Sequence, residues 1–175
     1  VTLIARDPKA THVFFNGDSG TTITHQSTVE ADEFGSRSCT MVFSGDNKVW
    51  ELDKYGNRVQ ELNTITVRAT EYSTPGSMPA KLPPNSAYTY CAELEADGVK
   101  RIEFEKPITV YVDNFLGFDA GEIVPVGYYD RDRAVWVPSE TGRVVQLMDT
   151  DGDGTIDALD ADGDGQADDL NEDGN

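Results

Sequence analysis

Every apolar run in this chain is short and closed by turn-forming residues, and no stretch carries the three-and-four spacing of an amphipathic helix. That pattern confines the fold to β-structure. Strands are expected at Val1 to Ile4, His12 to Phe15, Thr21 to Thr24, Cys39 to Phe43, Lys48 to Leu52, Thr64 to Thr70, Tyr88 to Leu94, Arg101 to Phe104, Thr109 to Val112, Gly127 to Tyr129, Ala134 to Val137 and Val144 to Leu147. Between them stand Asn16-Gly17-Asp18, Ser44-Gly45-Asp46-Asn47, Tyr55-Gly56-Asn57, Pro75-Gly76 and Pro83-Pro84-Asn85, residues that accept turn geometry. Thr64 to Ala69 and Ile108 to Val112 alternate apolar and polar, so each can bury one face and wet the other. The expected fold class is all-β, an antiparallel β-sandwich followed by an irregular C-terminal tail.

Composition divides the chain into three segments. Residues 1–38 are polar and turn-rich, either an edge of the sandwich or the remnant of a preceding module, and residues 39–148 form the sandwich itself. Within it Met78 to Pro84 holds three prolines in seven residues and should bridge the sheets as an extended crossing. Residues 149–175 are the tail, with eleven acids and no Lys or Arg. Of the formal charge of −18, the tail carries −11, leaving 21 acids against 14 bases, or −7, in the first 148 residues. The bases are dispersed, which argues against nucleic acid as a partner. No apolar run is long enough for a membrane-spanning helix. The sequence opens at Val1 without a signal segment, so any secretion signal is expected to have been removed or to lie on a longer precursor.

The acids of the tail are ordered. Asp149, Asp151, Asp153, Gly154, Asp157 and Asp160 make one phrase, which repeats eleven residues on as Asp160, Asp162, Asp164, Gly165, Asp168 and Asn171. Calcium takes six to eight oxygens at roughly 2.3–2.6 Å. Positions 1, 3 and 5 of such a loop offer carboxylates, the glycine at 6 permits a sharp turn, Thr155 and Gln166 at position 7 offer carbonyls, and Asp157 and Asp168 at position 9 bind directly or through water. Asp160 closes the first loop and opens the second, so it could bridge two ions. A third phrase starts at Asp169, Asn171, Asp173 and Gly174. Pro138, Gly142, Val144 and Val145 precede the loops where a helix-loop-helix hand would need a helix, and the closing ligand is Asp or Asn rather than Glu. The arrangement resembles the calcium repeats of thrombospondin type 3, over Asp149 to Asn171. The competing reading is a solvated acidic tail.

Cys39 and Cys91 lie in strand-like segments, and a disulfide between them is one expectation, two separate buried thiols the other. His12 and His25 each follow a Thr and read as isolated surface side chains. No nucleophile elbow or phosphate-cradling loop is present. Glu30, Asp32, Glu33, Asp130 and Asp132 read as solvated loop charge rather than a glycosidase pair. Trp50, Tyr88, Tyr90, Tyr128, Tyr129 and Trp136 could stack sugars, but at alternating strand positions they more often fill a core or brace its rim.

The phrases LNTITVRATEY (Leu62 to Tyr72), MPAKLPP, SAYTYCAEL (Ser86 to Leu94) and the run from Lys106 to Val145, followed by the aspartate loops, together resemble the segment ahead of the repeat core in large bacterial RHS (YD-repeat) proteins. The sandwich part is similar in layout to the β-sandwich domain shared by ankyrins and netrin receptors. The repeats themselves are absent; Asp53 to Arg58 only echoes one. The expectation is a non-enzymatic, extracellular calcium-binding structural module of a large secreted or surface protein. Its partners would be calcium ions and a repeat region further along the same polypeptide. Calcium would stiffen the tail and so set the direction of the sandwich relative to that repeat region. A carbohydrate- or partner-binding adhesion module, and a self-associating subunit of a filament or shell, are the alternatives.

Overall fold

A computed structural model describes residues 4–84, 86 and 88–168. Among them there is no helix; the chain is all-β, built from several antiparallel sheets. It divides into two compact units, 1–115 and 116–175, so the sequence boundary at 148/149 falls inside the second.

The first unit contains β1 (Thr11–Phe14), β2 (Thr22–Gln26), β3 (Glu30–Asp32), β4 (Gly35–Arg37), β5 (Cys39–Ser44), β6 (Val49–Leu52), β7 (Arg58–Glu61), β8 (Thr64–Glu71), β9 (Ala92–Ala96), β10 (Ile102–Phe104) and β11 (Thr109–Val112). Three sheets run in the orders β1-β8-β9, β10-β6-β7 and β11-β5-β2, and β3 pairs with β4 in a hairpin. The N-terminal strands are thus hydrogen-bonded to the body, β1 to β8 from Thr11 opposite Val67, and β2 to β5 from Thr22 opposite Ser44.

Side-chain alternation puts one face of each sheet inward. Cys39, Met41 and Phe43 on β5, Ile65, Val67 and Ala69 on β8, Val13 on β1 and Val49 on β6 form a single core drawn from all three sheets. Phe104 packs on Phe43 at a centroid distance of 5.9 Å and on Phe15 at 6.4 Å. A buried Arg37 ends β4. Its guanidinium donates to Glu71 and Asp32 and lies 4.5 Å over the Phe115 ring, so a charge inside the unit meets two opposite charges and an aromatic face. Ser38 beside it donates backbone and hydroxyl to Asp113 Oδ2.

Several expectations shift. The strand expected at Val1 to Ile4 falls mostly outside the described residues, and Ile4 is not in a strand. β9 begins at Ala92, although the Tyr72 amide still donates to the Cys91 carbonyl, so the segment before β9 stays extended. All four residues of β11 are exposed, because this strand ends its sheet and is paired to β5 alone among the described residues. The disulfide is not made: Cys39 and Cys91 are free thiols. The reason is parity. Tyr90 faces Cys39, and on an extended chain the next residue, Cys91, points to the other side. Burial pushes both thiols up to about 11, leaving them protonated near neutrality. His25 is also not on the surface. It shares the inward parity of Ile23 on β2, opposite Met41, and is 1 % exposed, while His12 is exposed.

The second unit contains β12 (Ile123–Val124), β13 (Gly127–Asp130), β14 (Val135–Pro138), β15 (Gly142–Arg143), β16 (Gln146–Met148) and β17 (Ala158–Asp160). They pair as β12-β15, β13-β14 and β16-β17. Asp130 accepts the Asp132 and Arg133 amides and so closes the β13–β14 turn, with Ala134 at φ 54°. Tyr129 and Trp136 pack across this hairpin at 5.4 Å.

Candidate metal centre

The two aspartate phrases are two loops of one construction. β16 and β17 pair with Leu147 opposite Leu159, so the first phrase, from Asp149, is the loop of a β-hairpin. The Asp157 amide donates to the Met148 carbonyl; eleven residues on, the Asp168 amide donates to the Leu159 carbonyl. Repetition in sequence has become repetition in hydrogen bonding.

Inside each loop the first aspartate gathers the backbone. Asp149 Oδ1 accepts the amides of Gly152 (2.7 Å) and Asp153 (3.1 Å), and Oδ2 that of Gly154 (2.8 Å). Asp160 Oδ1 accepts Asp162 (3.2 Å) and Gly163 (2.6 Å), and Oδ2 accepts Gly165 (2.9 Å). Asp151, Asp153, Asp162 and Asp164 each accept the amide two residues on, at Asp153, Thr155, Asp164 and Gln166. These are Asx turns, and they wind each loop around one centre. Such winding demands left-handed backbone, and Gly152, Gly154, Gly163 and Gly165 supply it with φ between 77° and 89°.

The winding brings carboxylate oxygens together. Oxygens of Asp149, Asp151 and Asp153 lie within 4.8 Å of one another, and so do those of Asp160, Asp162 and Asp168. Ligands held at about 2.4 Å from a common calcium ion can be no more than about 4.8 Å apart, so both sets fit one ion each, and their all-oxygen chemistry suits a hard cation. Asp164 is outside the second set; its Oδ2 accepts the Gln166 side-chain amide at 3.0 Å. Asp157 caps Thr150 through both the amide and the hydroxyl, while Asp168 Oδ2 accepts the Ala161 amide at 2.5 Å and still joins the second set. Asp160 turns both oxygens to its own loop, and Thr155 donates its amide to Asp153. Asn171 and the third phrase lie outside the described residues.

The loops differ in setting. Residues 149–157 are exposed, whereas Asp160 and Ala161 are buried. Arg143 Nη1 donates to the Ala161 carbonyl at 3.2 Å, and the chain at Ala120–Gly121 lies close against Asp162–Gly163. The Gly163 amide, and after it those of Gly165 and Asp162, hold the Asp160 carboxyl below the usual range against the opposing effect of burial. The Thr150 amide and hydroxyl do the same for Asp157. Sequence reasoning passed over Thr150, Gly121 and Arg143. The eleven-residue shift that relates Thr150 to Ala161 was a usable signal; nothing in sequence marks Arg143.

Of the other candidates, Asp32 pairs with buried Arg37, Glu30 and Glu33 are exposed, and Trp50 lies 5.2 Å under the Arg58 guanidinium. Tyr88 donates its hydroxyl to the Tyr72 carbonyl, and Tyr128 is exposed. No helix among the described residues is long and apolar enough to cross a membrane. No protein-family model, no curated protein and no solved structure matches this chain.

Proposed function

We propose that this chain is a non-enzymatic calcium-binding structural module working outside the cell, in which Ca²⁺ orders the acidic C-terminal loops. The observation that carries the reading is the pair of carboxylate triads, each within the span of a single ion's ligand sphere and each built by the same Asx-turn winding. Asp149, Asp151 and Asp153 would hold one ion and Asp160, Asp162 and Asp168 the other. Eleven negative charges in 27 residues repel one another, and two divalent ions would offset part of that repulsion while fixing the turns. Loops of this kind suit the millimolar calcium found outside cells.

The single core drawn from three antiparallel sheets supports a sandwich as the scaffold, in the manner of the ankyrin and netrin-receptor domain. The resemblance to RHS proteins makes a repeat region the natural C-terminal neighbour in the same polypeptide. Isothermal titration of the calcium-free chain with CaCl₂ tests the reading. About two ions per chain should bind at submillimolar to millimolar concentration, with a change in circular dichroism. Absence of heat and of spectral change up to 10-fold that range of concentration, on the order of 10 mM, would rule it out.

A further inference from the structure

Among the described residues ahead of β1, the segment from Ile4 to Ala10 is fastened to the first unit by a set of polar bonds. Between Ile4 and Ala10 only Asp7 is buried. Its amide donates to Thr70 Oγ1, its carbonyl accepts Arg68 Nη1 at 2.7 Å, and its carboxylate accepts three bonds: Oδ1 takes the Lys9 amide and the Thr28 hydroxyl, Oδ2 the Thr28 amide, each at 2.7 Å. Lys9 Nζ donates to the Ser27 carbonyl, and Arg6 pairs on the surface with Glu95 and Asp97. The apolar core begins only at Val13. A strap held this way can open without exposing core surface, and so at a lower free energy than global unfolding.

Beneath it lies an imidazole with one nitrogen unsatisfied. His25 Nδ1 is 3.0 Å from Thr11 Oγ1, the first residue of β1, and Nε2 is buried without a hydrogen-bond partner among the described residues. Neutral, the ring tolerates this arrangement by leaving Nε2 as a bare acceptor. Protonated, it carries an N–H at both nitrogens and needs acceptors for both. The charged groups facing it are Asp7, Lys9 and Arg68. Lys9 and Arg68 oppose a positive ring, and Asp7, the one anion, already engages both oxygens with Thr28 and Lys9.

We infer that His25 is an acid-sensitive latch for the strap at residues 4–10: protonating the ring breaks the Asp7 clasp and lets the strap leave the sheet while the core stays folded. Either the Asp7 carboxylate, which is not bonded to the ring, moves toward the imidazolium and away from Thr28 and Lys9, or water enters to solvate the charge; both routes undo the clasp. Burial, the largest influence, holds the ring below its ordinary value of 6.5, with Asp7 acting the other way and Lys9 and Arg68 with burial. For Asp7, burial pushes the carboxyl up, but the Thr28 and Lys9 bonds more than offset it and keep it below 3.8.

Heteronuclear NMR of the full chain in calcium buffer, from pH 7.5 to 4, decides the matter. The His25 ring should titrate below 6.5. The Lys9 and Thr28 amides should shift with the same midpoint, their opening rising by up to about tenfold per pH unit as pH falls from 6.5 toward that midpoint, while Met41 and Phe43 amides stay protected. The His25→Gln chain should keep its strap closed to pH 5. Strap amides that ignore the ring's titration, that follow a carboxylate midpoint, or that move together with Met41 and Phe43 would each overturn the latch. Should the variant not fold, the wild-type titration still gives one of these answers.

Discussion

Two glycines of the candidate centre do different work although both are left-handed. Gly163, at φ 83°, has no room for a Cβ, which would stand 2.5 Å from the Ala120 carbonyl oxygen; Gly152, at φ 77°, has nothing within 4 Å. An alanine at Gly152 therefore meets only the left-handed penalty of about 1–2 kcal/mol. Gly163→Ala adds a collision with backbone, which cannot swing aside, and should lower both the melting temperature of the second unit and its calcium affinity well beyond Gly152→Ala. Equal losses in calorimetry would contradict the close approach. At Arg37 charge decides. Glu71 and Asp32 meet there, and Glu71 is only 6 % exposed at its side chain. Arg37→Ala strands that carboxylate and removes the cover from Phe115, so chemical denaturation should show a loss of about 3–5 kcal/mol. A loss under about 1 kcal/mol, the range of a solvent-exposed pair, would mean water reaches Glu71 freely.

Elements were legible where packing follows alternation and illegible where it follows side-chain bonds. β5 and β8 carry buried apolar residues at every second position; alternation also placed β11 to the residue, but the buried face it implied is not there, all four residues being exposed. The hairpin β3–β4 has no apolar alternation to announce it, because Arg37 is its buried residue and a salt bridge its anchor. β17 was hidden in the acidic run, since Ala158-Leu159 looks like loop until its pairing with Leu147-Met148 is known. For the site, the period-two spacing of acids and the glycine at the sixth place were readable, because Asx turns are local. Which acid joins which set was not, because that depends on where each carboxylate finds an amide. Asp160 illustrates this: its sequence position serves both loops, yet both oxygens engage the second. Asp160→Asn leaves one acceptor oxygen for three amides and removes a charge from one triad. Titration should then show one site weakened by about tenfold or more, the cost of one to two charge-assisted hydrogen bonds, and the other unchanged; weakening of both would establish Asp160 as a shared ligand.

At the scale of the whole chain the charge is unevenly held. The body to residue 148 carries −7 and the last 27 residues −11, so repulsion is concentrated in the unit that contains the loops. Without divalent ions that unit should be the less stable of the two, and more sensitive to salt, because screening relieves repulsion between exposed charges over about 10 Å at 0.1 M. The first unit, closed around Val13, Phe43 and Val49, combines apolar packing with the buried Arg37 pair and holds its charge less densely, so its dependence on salt should be weaker. Scanning calorimetry in chelator should therefore resolve a lower, salt-dependent transition from an upper one. Saturating calcium should raise the lower transition by RT ln(1 + [L]/Kd) for each loop, about 2.7 kcal/mol per site at a hundred times Kd. The upper one should stay within a degree or so of its place, since nothing in its core changes with the ion. An upper transition that climbs with calcium, or a lower one indifferent to it, would remove the C-terminal loops from the role assigned to them.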